Sequence, residues 1–382
     1  MTLKVSGRGR VAPFYAMEVL KAANERAASG ADVLHLEIGE PSTGAPARVI
    51  AAAAEVMRRE RLGYTEALGT AALRRAIAGH YAAAYGIDVD PGRIVATMGS
   101  SGAFLLAFTA AFEAGDRIAL AAPGYPAYHN ILTALGIEPV VVSSGPEERF
   151  QPTPALLDRT GGELDGLLLA SPANPTGTMV VGAALAELVA YCRERGIRLV
   201  SDEIYHGISY DSAAETVLGL SDEAIVINSF SKYFCMTGWR LGWMVLPEDL
   251  VRPTECLAQN MFVSPSALSQ HAAAAVFDCR AELDANVARY AENRRVLLEA
   301  LPRAGFDRLA PADGAFYIYA DIRGLTNDSV DFCKRMLAEI GVAATPGIDF
   351  DRDRGNGYMR FSFAGSTEDI RAASRRIADW LA

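Results

Sequence analysis

The sequence has little of what a secreted, disulfide-bonded or metal-binding protein shows. It contains five cysteines in 382 residues, an odd number, with no C-x-x-C pair and no H-E-x-x-H motif. The first ten residues are polar and basic, without the apolar segment of a signal peptide. These absences predict a cytoplasmic protein that has neither structural disulfides nor a metal site.

The sequence also lacks a hydrophobic run able to cross a membrane, and it lacks an excess of positive charge. The uncharged run at 94–112 is long enough to suggest a span, but Gly-Ser-Ser-Gly at 99–102 divides it into a short strand and a short helix. The 36 basic and 46 acidic residues give a formal net charge of −10. Because a negative chain repels nucleic acid and anionic membranes, we expect neither as a partner.

What the sequence does contain is a regular alternation of short apolar strands with helices. The strands are largely apolar at every position, as expected where both faces of a sheet are covered. They are predicted at 94–97, 117–121, 139–143, 167–170, 198–201, 224–228 and 241–246. Helices are predicted between them at 102–112, 126–135 and 183–195. This pattern predicts an α/β fold, a three-layer domain with a mainly parallel sheet.

The character of the sequence changes after about residue 249. Strands at 315–321, 342–345 and 358–363 occur with helices at 281–301, 329–341 and 367–381. The length allows two or three domains. We predict that 46–278 form a large domain and that 1–45 with 279–382 form a smaller, discontinuous α+β domain. The N-terminal helix, 16–29, is expected to pack beside the smaller domain.

A lysine follows one of the predicted strands. Lys232 ends the sequence Ser-Phe-Ser-Lys after strand 224–228, and Arg240 lies eight residues further on. Open α/β sheets bind ligands at the carboxyl ends of their strands. A lysine desolvated there has a lowered pKa and can form a Schiff base, while Ser229 and Arg240 could hold a phosphate. Taken alone, the segment favours an ordinary surface loop.

Two more strands are followed by polar side chains. Asn174 lies in Ser-Pro-Ala-Asn-Pro-Thr-Gly, where prolines and glycine fix a turn, and its amide could donate to a phenolate oxygen. Asp202 ends an apolar strand, where a carboxylate needs a partner such as a protonated ring nitrogen. Tyr205 could reach a neighbouring oxygen. A structural turn and a capping aspartate are the plain alternatives.

Three further features have a chemical interpretation beside a structural one. The small residues at 99–102 precede a helix whose N-terminus suits an anion, although Ser100 or Ser101 could simply cap it. Tyr125 follows a strand and could stack on a ring or pack in a turn. Arg360, in the apolar segment 358–363, could bind a substrate carboxylate or an internal carboxylate.

The features are more informative together than singly. Five of them directly follow predicted strands and should therefore meet at one edge of one sheet. They supply a Schiff-base lysine, a carboxylate for a pyridinium nitrogen, donors for a phenolate, a phosphate site and a ring for stacking. This is the set of groups that pyridoxal phosphate requires.

The sequence resembles the class I/II aminotransferases of fold type I from about residue 38 to the last helix. The motifs that carry the resemblance are S-P-A-N-P-T-G, S-D-E-I-Y, and S-F-S-K followed by M-T-G-W-R-L-G. It implies an enzyme that binds pyridoxal 5′-phosphate in its large domain. It also implies a homodimer with the active site at the subunit interface.

The resemblance also implies a role for each motif residue. Lys232 would bond to the cofactor and later move a proton, and Asp202 would keep the ring nitrogen protonated. Asn174 and Tyr205 would bind the ring oxygen, with Tyr205 as a third catalytic residue, and Tyr125 would stack on the ring. The implied phosphate-binding residues are Ser100, Ser101, Ser229 and Arg240, and Gly102 and Ser231 are further implied cofactor-binding residues.

The substrate would be held by a second set of residues. Arg360 would bind its α-carboxylate, helped by the backbone of Gly39 and by Asn174, with Tyr15 beside it. Tyr64 matches the tyrosine that reaches the phosphate of the neighbouring subunit.

The donor specificity is less marked in the sequence. Some relatives that bind dicarboxylates have a lysine where this chain has Ser101. The predicted entrance is aromatic, with Phe14, Tyr15, Phe262 and Phe316. We therefore expect an apolar or aromatic amino donor. The resemblance implies a 2-oxo acid acceptor such as 2-oxoglutarate, in a ping-pong reaction.

Other functions use the same fold or part of the same pattern. A C–S β-lyase needs the same lysine and aspartate, but it releases pyruvate and ammonia without an acceptor. Aspartate aminotransferase is the alternative substrate class. A cofactor-sensing module of a transcription regulator would need a DNA-binding part, for which ten residues before Val11 are too few. A dehydrogenase is disfavoured because the dinucleotide glycine fingerprint is missing.

Overall fold

The computed structural model describes residues 3–382, which form twelve α-helices and thirteen β-strands. The strands are β1 (Leu34–His35), β2 (Ile94–Thr97), β3 (Arg117–Ala122), β4 (Glu138–Ser143), β5 (Gly166–Ala170), β6 (Arg198–Asp202), β7 (Ile225–Ser229), β8 (Gly242–Val245), β9 (Arg308–Leu309), β10 (Tyr317–Asp321), β11 (Val342–Ala343), β12 (Thr345–Pro346) and β13 (Tyr358–Ser362). The helices are α1 (Tyr15–Ala28), α2 (Ala47–Arg59), α3 (Ala71–Tyr85), α4 (Gly99–Ala111), α5 (Pro126–Leu135), α6 (Pro154–Leu157), α7 (Gly182–Arg195), α8 (Glu248–Met261), α9 (Ala267–Ala273), α10 (Arg280–Arg303), α11 (Ser329–Ile340) and α12 (Thr367–Leu381). No helix among residues 3–382 is long and apolar enough to span a membrane.

A seven-stranded sheet forms the centre of the larger part, in the order β2-β8-β7-β6-β5-β3-β4. Only β8 runs against its neighbours, β2 and β7, and the other pairings are parallel. This confirms the predicted α/β fold with a mainly parallel sheet. The carboxyl ends of β5, β6 and β7 therefore lie side by side at one edge.

Helices cover both faces of this sheet. Successive residues of β5 alternate between two apolar cores, with Leu167 and Leu169 in one and Leu168 in the other. The first core includes α3 and α7, and the second includes α4, α5 and α8. Burial on both faces explains why the strands are apolar at every position rather than at alternate ones.

Most predicted elements of this part have boundaries within a residue of the observed ones, because their ends carry clear local signals. Pro126 begins α5, and Gly196 ends α7 in the left-handed conformation, with φ of +67°. The main error is α4, which begins at Gly99 rather than residue 102. Its first turn therefore contains Ser100 and Ser101.

The C-terminal part contains a four-stranded antiparallel sheet, β12-β13-β10-β9, and the parallel pair β1-β11. Its core joins Leu34 and Leu36 to residues from the C-terminal third of the chain. As expected, α1 packs here, with Ala23 against Leu337 and Ala343. The predicted strand 342–345 is wrong as one element, since Ala344 separates β11 from β12 in different sheets. The domain boundaries, 46–278 against 1–45 with 279–382, stay a prediction.

Candidate active site

A cleft of about 180 Å³ lies at the carboxyl edge of the central sheet. The N-terminal segment and β13 close it from the other side. Most of the residues predicted for the site line this cleft: Gly39, Ser100, Ser101, Tyr125, Asn174, Asp202, Tyr205, Ser231, Lys232, Arg240 and Arg360. The structure thus brings together residues that are more than 300 positions apart in the chain.

Asp202 is the last residue of β6 and is 3% exposed. Its carboxylate accepts hydrogen bonds from the Tyr128 hydroxyl and, at 3.0 Å, from the Ile204 backbone N–H. Burial raises the pKa of Asp202 to about 6, although both hydrogen bonds and Lys232 act to lower it. A carboxylate that is this costly to ionise favours a cationic partner in the cleft.

Lys232 follows β7 and reaches into the cleft, where its Nζ donates to the Gly39 carbonyl oxygen at 2.6 Å. Burial lowers the pKa of Lys232 to about 8, and the positive charges of Arg360 and Arg240 act in the same direction. A lysine with this pKa is partly neutral near pH 7 and can act as a nucleophile or a base.

Arg360 enters the cleft from β13 and is 2% exposed. One terminal nitrogen donates to the Asn174 side-chain oxygen at 2.8 Å, and the other donates to Thr345 Oγ1 at 3.1 Å and to the Glu37 carbonyl. Its Nε is buried and has no partner. Among residues 3–382, Arg360 forms no ion pair, which leaves a buried positive charge available for an anion.

Two tyrosines lie beside the guanidinium of Arg360. The ring of Tyr317 is 4.4 Å from the guanidinium carbon, and its hydroxyl shares a 2.8 Å hydrogen bond with the hydroxyl of Tyr205. A side chain on Gly39 would overlap the Tyr317 hydroxyl, which would lie 1.7 Å from the added Cβ. The absence of a side chain at Gly39 therefore lets this loop approach the tyrosine pair.

The first turn of α4 and Arg240 form the opposite end of the cleft. Gly99 adopts φ of +67°, and an added Cβ would lie 2.6 Å from an Arg240 terminal nitrogen. Arg240 itself adopts φ of +50° and donates to the Thr237 carbonyl at 3.1 Å. The guanidinium and the free N–H groups of the helix start thus converge on one place, as an anion site requires.

Four other predicted residues do not line the cleft. Gly102 is buried in the interior of the first helical turns of α4. Ser229 is 1% exposed, and its hydroxyl donates to Ser231 Oγ at 2.9 Å, so it contacts the cleft through Ser231. Tyr15 borders a neighbouring cavity. Tyr64 is 88% exposed on the surface.

The aromatic entrance differs from the prediction. Phe14 lines the cleft and meets the ring of Tyr125 edge-on at 5.7 Å. Phe262 packs against the core beneath α8 instead. Phe316 is fully buried, because its ring packs against Tyr205 and Tyr290 rather than into the cleft.

The sequence analysis missed several residues of the site. Tyr128 lies one helical turn after Tyr125, a spacing that places both on one face of α5. Tyr317 directly follows Phe316 in the chain, and nothing in the sequence distinguishes their orientations. The other missed lining residues are Ala16, Met17, Ile38, Phe104, Ile204 and Thr237.

The donor set fits pyridoxal 5′-phosphate. The carboxylate of Asp202 suits a protonated ring nitrogen, and the start of α4 with Arg240 suits a phosphate. Tyr125 offers a ring face, and Lys232 an amine of lowered pKa. Among residues 3–382, no group of three His, Cys, Asp or Glu side chains is arranged to bind a metal ion.

Comparison with known sequences gives the same assignment. The family model described as aminotransferase class I and II matches residues 31–377. The chain is 51% identical to a valine–pyruvate aminotransferase from Mycobacterium tuberculosis, over 100% of this chain and 99% of the relative. It is 31% identical to an aspartate aminotransferase from Thermotoga maritima, over 92% of each.

Solved structures agree with the sequence comparisons. The crystal structure of an aminotransferase from Mycobacterium tuberculosis superposes with a TM-score of 0.98 at 51% identity, over 100% of this chain and 99% of that one. The aspartate aminotransferase from Thermus thermophilus with maleate gives 0.92 at 29% identity, over 99% and 100%. The chain therefore belongs to the class I and II aminotransferases, enzymes that depend on pyridoxal 5′-phosphate.

Proposed function

We propose that this aminotransferase takes its amino group from an apolar aliphatic L-amino acid such as valine and gives it to a small 2-oxo acid such as pyruvate. The observation that carries the proposal is the number of cations in the cleft. Among the described residues, only Lys232, Arg240 and Arg360 are basic there. Once these serve the amine, the phosphate and the α-carboxylate, none is left for a second carboxylate.

The remaining surface of the cleft supports an apolar donor. Phe14, Ala16, Met17 and Ile38 line the same cleft into which the Lys232 amine reaches. Apolar lining of this kind stabilises an aliphatic side chain by removing it from water. The name of the Mycobacterium tuberculosis relative, valine–pyruvate aminotransferase, is consistent with an aliphatic donor. Because none of the basic residues described in the cleft is left for a second carboxylate, pyruvate is also favoured over 2-oxoglutarate, which carries a distal carboxylate.

Lys232 and Asp202 would carry the chemistry. Bound pyridoxal phosphate supplies an electron-withdrawing ring that stabilises negative charge on the Cα of the amino acid. Lys232 would bond to the cofactor in the resting enzyme and, once released, take the proton from Cα, for which its lowered pKa suits it. Asp202 would hold a proton on the ring nitrogen, with Tyr128 keeping the carboxylate in place.

Other residues of the cleft would bind and orient. Arg360 would take the substrate α-carboxylate on its unpartnered face, and Asn174 would keep the guanidinium aligned. Tyr205, held by Tyr317, would donate to the ring oxygen of the cofactor. Tyr125 would stack on the ring.

The phosphate would lie where α4 begins. Ser100 and Ser101 supply hydroxyl and backbone N–H groups there, and Arg240 supplies a guanidinium. Ser231 would add its hydroxyl, oriented by Ser229.

We further propose a homodimer in which Tyr64 reaches the phosphate of the neighbouring subunit. Tyr64 is 88% exposed, and Leu62, Met261 and Val263 near it are also exposed apolar side chains. A hydrogen bond from the Thr65 N–H to Ser264 Oγ holds the two segments together. Such a patch favours burial against a second copy. Sedimentation should give a dimer mass, and Tyr64→Phe should weaken cofactor binding about tenfold; a monomer with full cofactor affinity would contradict this.

The acceptor experiment tests the function. The enzyme loaded with cofactor is given valine with pyruvate or with 2-oxoglutarate, and amino acid products are separated by chromatography. We expect alanine to form faster than glutamate. Preferred formation of glutamate, or preferred use of aspartate as donor, would overturn the substrate assignment. Valine has no leaving group on Cβ, so the lyase alternative is tested with an S-substituted cysteine: release of pyruvate and ammonia without any acceptor would indicate a C–S β-lyase.

A further inference from the structure

The N-terminus of α1 is capped by a residue from the other end of the chain. Asp349 accepts hydrogen bonds from the backbone N–H of Tyr15 at 2.9 Å and from that of Ala16 at 3.1 Å, one on each carboxylate oxygen. It is 7% exposed. The carboxylate also stands at the positive end of the helix dipole, where a negative charge is favoured.

The helix cannot supply this cap itself. The residue at its N-cap is Phe14, whose side chain has no hydrogen-bond acceptor. The N–H groups of Met17 and Glu18 already bond to the Phe14 carbonyl, which leaves those of Tyr15 and Ala16 for a partner. Because the first N–H groups of a helix have no intrahelical acceptor, Asp349 determines where this helix begins.

Asp349 is itself held in a rigid place. A Cβ on Gly347 would lie 2.5 Å from the Tyr358 carbonyl oxygen, so this turn packs tightly against the strand that carries Arg360. The Phe350 carbonyl accepts from the Gly124 N–H at 2.9 Å, beside Tyr125. Asp349 thus connects α1 to two fixed parts of the cleft.

The first turn of α1 is also the apolar wall of the cleft. Phe14, Ala16 and Met17 all line it, and Phe14 rests against Tyr125. The two N–H groups that Asp349 binds belong to residues within this same turn. A shift of the helix start would therefore move the wall, while Lys232, Asp202 and Arg360 would keep their own hydrogen bonds. The charge of Arg360 does act on Asp349, but that effect is common to all donors and cancels in a ratio of two donors.

We propose that Asp349 is a positioning residue that sets donor selectivity by fixing the first turn of α1 against the cleft. The inference rests on the proposed function, because it assumes that this wall contacts the donor side chain. A branched aliphatic donor depends on the wall, whereas alanine has only a methyl group to place there. Asp349 thus contributes to the selection of larger aliphatic donors and not to the proton transfer.

The test compares donors in three variants. Loss of cofactor absorbance on mixing with valine or alanine, without acceptor, is measured for the wild type, Asp349→Asn and Asp349→Ala. The control is Asp351→Asn, whose carboxylate is equally buried in the same loop but accepts from the backbone N–H groups of Asp353 and Arg354 and pairs with the Arg354 guanidinium, not with α1. Trypsin cleavage after Lys21, which is exposed and lies within α1, reports how firmly α1 is held, independently of activity.

We expect Asp349→Ala to lower the valine-to-alanine preference by about tenfold, the effect of losing a methylene-sized fit. The loss should appear as a higher valine concentration for half-maximal rate, with an unchanged maximal rate. Asp349→Asn, which keeps an acceptor oxygen, should show a smaller loss, and Asp351→Asn none. Trypsin should cleave Asp349→Ala faster than the control.

Two results would overturn the inference. One is an equal loss for valine and alanine, and the other is an unchanged preference in a folded Asp349→Asn. If Asp349→Ala does not fold, the Asn variant and the protease rates decide. A wild type that ignores valine and other aliphatic donors would instead refute the proposed donor class, so the two failures are distinguishable.

Discussion

The two ends of the cleft are built in different ways. At the cofactor end, Asp202, Lys232 and Asn174 each follow a strand of the central sheet, and the α4 turn follows another. At the substrate entrance, Arg360 and residues of the first turn of α1 line the same cleft. The turn is held there by Asp349, which accepts hydrogen bonds from the N–H groups of Tyr15 and Ala16. One end is fixed by a sheet, and the other by a few contacts between distant segments.

This difference separates chemistry from selectivity. A sheet buried on both faces allows little movement, so the groups that handle protons are preorganised. The entrance depends on two hydrogen bonds to a helix start, which a small change can shift. We therefore expect substitutions at the cofactor end to reduce turnover for every donor, and those that shift the first turn of α1 to change the choice of donor.

The largest effect is expected at Lys232. Lys232→Ala should reduce turnover by about 10⁴-fold for all donors, because general base catalysis by the amine is lost. The chain has four lysines, Lys4, Lys21, Lys232 and Lys334, which makes the site easy to map. Borohydride reduction of the holoenzyme should attach the cofactor to the peptide that contains Lys232. A label on any other lysine would contradict the assignment.

Asp202→Asn should have the next largest effect. Loss of the negative charge at the ring nitrogen should lower turnover by about 10²–10³-fold, equally for valine and alanine. Asp202→Glu, which keeps the charge, should lose less. Steady-state rates at saturating donor measure this. Turnover of the Asn variant close to that of the wild type would show that the cofactor end does not work as described.

Arg360→Lys should act mainly on substrate binding. The guanidinium can make two parallel hydrogen bonds to a carboxylate and an ammonium cannot, so KM for valine should rise by about 10–100-fold. The control is a donor without the carboxylate, isobutylamine, whose KM should not change. An equal rise for the amine would mean that Arg360 does not bind the carboxylate.

A smaller effect concerns the stability of the cofactor-free protein. The pKa of Asp202 is raised to about 6, so the folded state binds more protons than the unfolded state between its ordinary pKa and pH 6. Stability therefore falls as pH rises through this range. At pH 7.5, Asp202→Asn should raise Tm by about 2–4 °C, and the gain should shrink toward pH 4. A gain that does not depend on pH would contradict the pKa shift.

The sequence predicts the cofactor end well and the entrance poorly, for a physical reason. Asp202, Asn174 and Lys232 follow strands whose apolar pattern is local, so their meeting at one edge follows from the parallel sheet. Phe14 and Tyr15 were both expected at the entrance, but only Phe14 lines the cleft, together with Met17, which was missed. Successive side chains of a helix point about 100° apart around the helix axis, so an error of one position places a side chain on a different face of the helix.

Asp349 carries no sequence signal at all for its role. It lies 334 residues from Tyr15, and the contact exists only because α1 and the β12–β13 region pack together. The break at Ala344 was missed for a related reason, since residues 342–345 form an apolar run that is uniform in sequence but divides between two sheets. Contacts set by tertiary packing are not visible in local patterns.

We infer that the cleft pairs a complete cofactor site with an apolar entrance that, among the described residues, has no cation for a second carboxylate. The most direct test mixes the holoenzyme with each of the twenty amino acids without acceptor and follows the loss of cofactor absorbance in a single turnover. Pyruvate or 2-oxoglutarate is then added to restore it. We expect valine and similar aliphatic donors to react fastest and pyruvate to restore the absorbance best. Fastest reaction with aspartate or glutamate, and restoration by 2-oxoglutarate alone, would contradict it.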